Sequence, residues 1–187
     1  MKPLLQIFLL FLSISSHAVP YINPEVAEDI LARDYAGQKL YWAPVRLPLT
    51  IALTDNSRVA NQLSHLFDRG MVERERLMST EDVGNGRRKV VLKWRYTWPD
   101  NSSAGLAYGV RRVHSLMTMT DPIQRDATWY VEVGLRWYVD DIEPWVADPA
   151  LKSARPLRRA IESHEKPFEA TVYLELRNNR WQIWTPE

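Results

Sequence analysis

From Thr128 to Val139, large apolar side chains occupy every second position. Trp129, Val131, Val133, Leu135 and Trp137 point one way, while Tyr130, Glu132, Arg136 and Tyr138 point the other. A period of two predicts a strand, and aromatic rings on both sides set a harder condition. Each face of a sheet built around this strand is either covered by another part of the chain or lines a groove for a ligand or partner. Strands to pair with it are at hand. Leu106–Met119 reads as a second long strand, joined to the first through Thr120-Asp121-Pro122. In Phe168–Leu176, Phe168, Ala170, Val172, Leu174 and Leu176 share a face, and Asn178-Asn179 turns the chain into Arg180–Thr185 as a terminal hairpin. Pro144, Pro149 and Pro156 break the stretch between into loop and short turns, with Trp145 as an anchor. A short helix from Pro156 to about His164 follows.

The N-terminal half reads differently. Asn23-Pro24-Glu25 supplies a cap, a residue suited to the first helical position and a charge that complements the helix dipole. With Val26, Ile30 and Leu31 as a stripe and Gly37 as a stop, a helix is expected over 24–36. Pro44 and Pro48 punctuate Leu40–Leu53, which predicts extended segments at a sheet edge. After the capping oxygens of Thr54-Asp55-Asn56-Ser57, the residues Val59, Leu63, Leu66 and Phe67 mark one face of a helix that ends at Gly70. Two strands are expected next, Met71–Met78 and Arg87–Trp98, joined by the polar stretch Ser79–Gly86. In the second of them Val90, Leu92, Trp94, Tyr96 and Trp98 alternate with mostly polar residues. The fold class is therefore α+β, with N-terminal helices followed by a curved antiparallel sheet and a short helix. The expected division is a helical lobe over 19–98 and a sheet lobe over 99–187, sharing a core or continuous as one domain.

The capped helix VANQLSHLFDRGMVERE, followed by a strand, a polar turn and RRKVVLKWRY, resembles the helix-plus-wing half of a winged-helix domain over about residues 48–98. In DNA-binding members of that family the polar helix face enters the major groove. The resemblance places Arg58, Asn61, Gln62, His65 and Arg69 on that face, where such side chains reach phosphates and base edges. The bland alternative is a solvated helix face. The later strands, closing in LELRNNRWQIW, resemble in topology the curved sheets of cystatin-like or NTF2-like folds.

Location narrows the choice. Met1-Lys2 carries one positive charge, Leu4–Ile14 is apolar apart from Gln6 and Ser13, and Ser16-His17-Ala18 puts small residues at −3 and −1. That is the pattern of a cleavable signal peptide over 1–18, cut between Ala18 and Val19. The apolar run is shorter than the roughly 20 residues that a membrane-spanning helix needs, and the mature chain is expected to be soluble in the periplasm or outside the cell. Cleavage leaves 169 residues with 23 basic and 23 acidic side chains, a formal charge of zero that argues against nucleic-acid binding by bulk charge. The absence of cysteine excludes disulfides, a thiol nucleophile and a thiolate metal site.

Chemistry is sparse. His65, His114 and His164 have no close ligand spacing around them, so neither a metal nor another cofactor is expected. No phosphate-binding glycine loop and no nucleophile elbow occurs, and catalytic residues are not identifiable. One constellation offers itself. Pairing the two long strands across a turn at 120–126 sets Val113 opposite Val133 and Met117 opposite Trp129 on an apolar face. The other face then carries His114 opposite Glu132, with Arg112, Arg136 and Tyr138 nearby, and with Tyr130, Trp94 and Tyr96 extending it. A His–Glu pair raises an imidazole pKa, and an adjacent Arg holds an anion by a bidentate contact. A plain cross-strand ion pair on a solvated face is the competing account. Arg112, His114, Glu132, Arg136 and Tyr138 are the binding candidates of an exported, non-catalytic envelope or periplasmic protein that binds a protein, a glycan or a small molecule. A periplasmic or secreted hydrolase-type enzyme is the alternative, and a winged-helix nucleic-acid-binding protein the second.

Overall fold

A computed structural model of the protein describes residues 19–99 and 105–186. The expected signal segment and its cleavage junction lie at or outside the edge of the described residues, as does most of the turn cluster after Pro99. Among the described residues no helix is long and apolar enough to cross a membrane.

The first helix, α1 (Pro24–Ile30), starts where its caps predict: the Asn23 side chain accepts the Val26 N–H at 2.9 Å, a cap worth about 1 kcal/mol. It widens into a π-helical turn over Leu31–Tyr35, closed by the Ala36 N–H on the Leu31 carbonyl at 2.9 Å. The wider turn holds both Leu31 and Tyr35 against the sheet below. Two short strands follow, β1 (Lys39–Trp42) and β2 (Leu49–Ala52), parted by the prolines and each at the edge of its own sheet. The second helix, α2 (Arg58–Asp68), is capped by Ser57, whose hydroxyl accepts the Ala60 N–H at 3.2 Å. Then come β3 (Glu73–Asp82) and β4 (Arg88–Thr97), joined by a turn in which Gly84, Asn85 and Gly86 all take positive φ.

The second half holds β5 (Leu106–Met119), β6 (Ile123–Arg125), β7 (Thr128–Asp140), two 3₁₀ turns over 144–151, α3 (Arg155–Glu162), β8 (Phe168–Arg177) and β9 (Arg180–Ile183). The protein is thus mixed helix and sheet, mostly strand, with a curled antiparallel sheet and few helices. Among the described residues the large sheet runs β1-β5-β7-β8-β9, with β6 also on β7, and the small sheet runs β2-β4-β3.

Two apolar clusters hold these layers. In one, α1 and its π-helical extension lie across the inner face of the large sheet, where Val131, Val133, Leu135 and Leu174 are fully buried against Ala27 and Leu31. Each such aliphatic side chain contributes about 1.5–3 kcal/mol of burial. The other cluster joins α2 to the small sheet and to the 3₁₀ turns and α3. Leu63, Leu66 and Tyr96 meet Val146, Leu151 and Leu157 there, so residues from both halves of the chain share it. Trp145 packs on Trp42 with ring centroids 6.1 Å apart.

Two expectations need correction. Among the described residues a single helix lies between β2 and β3, so the segment has a helix and a hairpin but not the helix pair that makes a winged-helix reader. The polar face of α2 is also occupied by the protein itself. Gln62 is buried and donates to Ser153 Oγ at 3.3 Å, His65 Nε2 sits 3.0 Å from Asp148, and Arg69 pairs with the same carboxylate. Arg58 and Asn61 remain exposed.

The register of the long strands is the second correction. Val113 pairs with Trp137, Ser115 with Arg136, Leu116 with Leu135, Thr118 with Gly134 and Met119 with Val133. His114 and Met117 are bulged residues without a partner, and Met117 is exposed rather than packed on Trp129. The turn falls at Asp126-Ala127, both at positive φ, and not at Pro122. The chain first closes the tight β6–β7 hairpin, in which Ile123 faces Tyr130, and only then runs on along β7. Each bulge adds one residue to β5 and resets its parity. As a result Val113, Leu116 and Met119 all reach the inner face, a period of three where strict alternation gives two.

Candidate functional site

Among the described residues the inner face of the large sheet is covered by α1, while the outer face is open near the β6–β7 turn. Its side chains stand in rows across the strands. Nearest the Asp126-Ala127 turn, Arg125 pairs with Thr128; the next row is Ile123, Tyr130, Glu175 and Gln182. The row after that is Thr120, Glu132, Tyr173 and Trp184. Thr120, Ile123, Tyr130, Glu132, Tyr173 and Trp184 from these rows line a cleft of about 410 Å³, bounded at the turn by Arg125 and Asp126.

Backbone pairing fixes each wall. The Glu132 N–H donates to Thr120 Oγ1 at 3.1 Å, and the Thr120 N–H donates to the Glu132 carbonyl at 3.0 Å. The Trp184 N–H donates to the Tyr173 carbonyl at 2.8 Å, extending the β8–β9 ladder by one pair. Trp184 and Tyr173 meet edge to face, centroids 6.2 Å apart and planes at 88°, and both are about two-fifths exposed. Tyr173 is the cross-strand neighbour of Glu132. Hydrogen bonding to that carboxylate and its negative charge push the phenol above its ordinary pKa, while Arg125 pulls the other way. Beneath Tyr130, Glu175 is buried and accepts from Gln182 Nε2 at 2.7 Å.

Further along the outer face is a narrow waist at Gly134. A Cβ there would collide with Thr118 Oγ1, so glycine lets the two strands keep Thr118 folded over the sheet. Beyond it stand most of the residues singled out in the sequence. Arg136 forms an exposed cross-strand ion pair with Glu169 at 3.1 Å. Arg112 reaches Asp140 and Asp141 at 3.4 and 3.5 Å. Tyr138 stands between two histidines, its ring centroid 6.4 Å from His114 and 4.3 Å from His164. His164 Nε2 is 3.9 Å from Asp140, and His114 Nδ1 is 3.3 Å from its neighbour Ser115.

The structure therefore brings Arg112, His114 and Tyr138 together but separates His114 from Glu132. Both lie on the outer face, yet His114 sits at the level of Arg136, four residues from Glu132 along β7, or about 13 Å. The His114–Glu132 pair is not formed. Trp94 and Tyr96 belong to the small sheet, with Tyr96 in the core, and do not extend this face. Tyr173, Trp184 and Arg125 are the cleft residues that sequence reasoning did not select. Tyr173 carried a signal, as the one aromatic on the polar side of an otherwise regular β8. Among the described residues no three His, Asp or Glu side chains are grouped as metal ligands.

No protein-family model, no curated protein and no solved structure matches this chain. Function rests on the site itself.

The cleft is lined by groups of several kinds: rings from Tyr130, Tyr173 and Trp184, a carboxylate acceptor from Glu132, and a guanidinium donor from Arg125. Such a set can contact both the apolar and the polar parts of a ligand.

Proposed function

We propose that this is an exported, soluble binding protein of the cell envelope or periplasm, and that it holds its ligand or partner in the outer-face cleft. The observation that carries the reading is the pairing of exposed aromatic rings with convergent polar groups in a cleft that stays open among the described residues. The N-terminal eighteen residues support the location, with their charged start, apolar run and Ser16-His17-Ala18 junction. The nucleic-acid alternative is weaker on two counts: the mature charge sums to zero, and Gln62, His65 and Arg69 are engaged within the protein.

The test compares capture from envelope fractions by the wild type and by a Tyr173→Ala/Trp184→Ala double variant of equal stability. The expected result is one stoichiometric ligand or partner retained by the wild type and lost by the variant. Capture that is indifferent to the two substitutions refutes the cleft as the site. N-terminal sequencing of the exported protein is expected to begin at Val19, and a retained Met1 refutes export by cleavage.

A further inference from the structure

The charges at the cleft discriminate between ligand classes, provided the cleft is the binding site proposed above. Glu132 and Asp126 are acceptors only, and Arg125 is a donor only. An inorganic anion placed here faces two carboxylates. An organic cation, otherwise suited to aromatic rings, faces the guanidinium. A ligand bearing hydroxyl groups satisfies both sides, because each hydroxyl donates and accepts.

The apolar half of the cleft sets a second condition. Trp184 and Tyr173 meet edge to face, and a broad ring surface is left that a flat stack would have consumed. Ile123, nearly half exposed, adds an apolar wall. The ligand therefore needs an apolar face as well as a rim of hydroxyls. Glu132 and Trp184 stand two strands apart, about 10 Å between backbones, with Tyr173 between them. One ring-sized unit spans that interval.

We propose that the cleft binds a neutral saccharide, one sugar ring stacked on Trp184 and its hydroxyls shared between Glu132 and Arg125. Tyr173, the cross-strand neighbour of Glu132, is a positioning group for its carboxylate.

The experiment is calorimetric titration of protein expressed from the full chain with cellotriose, maltotriose and tri-N-acetylchitotriose, alongside tetramethylammonium chloride and sodium sulfate. At least one trisaccharide is expected to bind saturably. Trp184→Ala and Glu132→Gln are each expected to weaken that binding at least about tenfold, or ~1.4 kcal/mol, at an unchanged unfolding midpoint. Tyr173→Phe keeps the ring and loses only the hydroxyl, and is expected to weaken binding less than Glu132→Gln. No trisaccharide binding, or binding that survives both substitutions, overturns the saccharide inference. Tetramethylammonium or a captured protein bound through Trp184, with no competition from trisaccharide, overturns the ligand class but leaves the cleft as the site. Failure of every probe together with envelope capture indifferent to the cleft variants overturns both.

Discussion

Ser163 stands in for a missing strand. β8 begins opposite Trp137, so among the described residues β7 continues for three residues with no strand paired on that side. There the Val139 N–H donates to Ser163 Oγ at 2.9 Å, and the same hydroxyl donates to the Ala160 carbonyl at 2.6 Å. Both Val139 and Ser163 are fully buried, so water cannot replace either bond. In Ser163→Ala the Ala160 carbonyl keeps a partner, the Ser163 N–H at 3.1 Å, but the Val139 N–H is left with none. The volume change is a single oxygen, and the cavity contribution is small. The loss is therefore the price of one unsatisfied buried donor, about 1–3 kcal/mol. Urea unfolding is expected to show a lower midpoint at constant m-value, and thermal unfolding a drop of about 2–4 °C per kcal/mol for a chain of this size. Hydrogen exchange gives the local reading: protection at the Val139 amide is expected to fall more than at Val133. A stability change under about 0.3 kcal/mol, or unchanged protection at Val139, refutes the reasoning.

Other expectations follow from the same structure. The Ala150 N–H, then His65 and Arg69, hold the Asp148 carboxyl below its ordinary pKa; its stabilisation is complete above the unfolded value of about 4 and is lost as pH falls through the lower folded value. Asp148→Asn is thus expected to flatten the acid limb of stability, and an unchanged limb counts against the pairing. Ultraviolet titration of Tyr173 in Glu132→Gln is expected to move the phenol down toward its ordinary value, because the group that raises it has lost its charge; no movement means that the two side chains do not meet. A Cβ at Gly109 would run into Val139 Cγ1 and approach the Asp140 carbonyl at 3.0 Å. Gly109→Ala is accordingly expected to destabilise by about 1–3 kcal/mol, read by chemical unfolding, and a neutral effect refutes that close approach.

Legibility in the sequence tracked how local the determining physics is. β7 and β8 were readable because their large apolar residues recur at a fixed spacing, and α2 because its cap and stripe lie within one segment. The β8–β9 turn was readable because Asn178 and Asn179 tolerate positive φ. The β6–β7 turn was not: Asp126-Ala127 adopts the same backbone, but alanine gives no hint of it, and Pro122 looked like the better turn. The bulges at His114 and Met117 follow from fitting β5 to both β7 and the apolar cover of α1, a tertiary demand that strict alternation conceals. The cleft was opaque for a related reason. Arg125, Glu132, Tyr173 and Trp184 come from β6, β7, β8 and the end of β9, and only the register brings them to one place.

The bulges in β5 also bear on how this chain can diverge. Deleting a residue from a paired stretch of strand reverses every side chain beyond it. Deleting His114 or Met117 removes an unpaired residue and leaves Leu116 and Met119 facing inward. Positions 114 and 117 are thus where descendants of this sequence can shorten by one residue without exchanging the buried face for the open one, and where length variation among them is expected to gather.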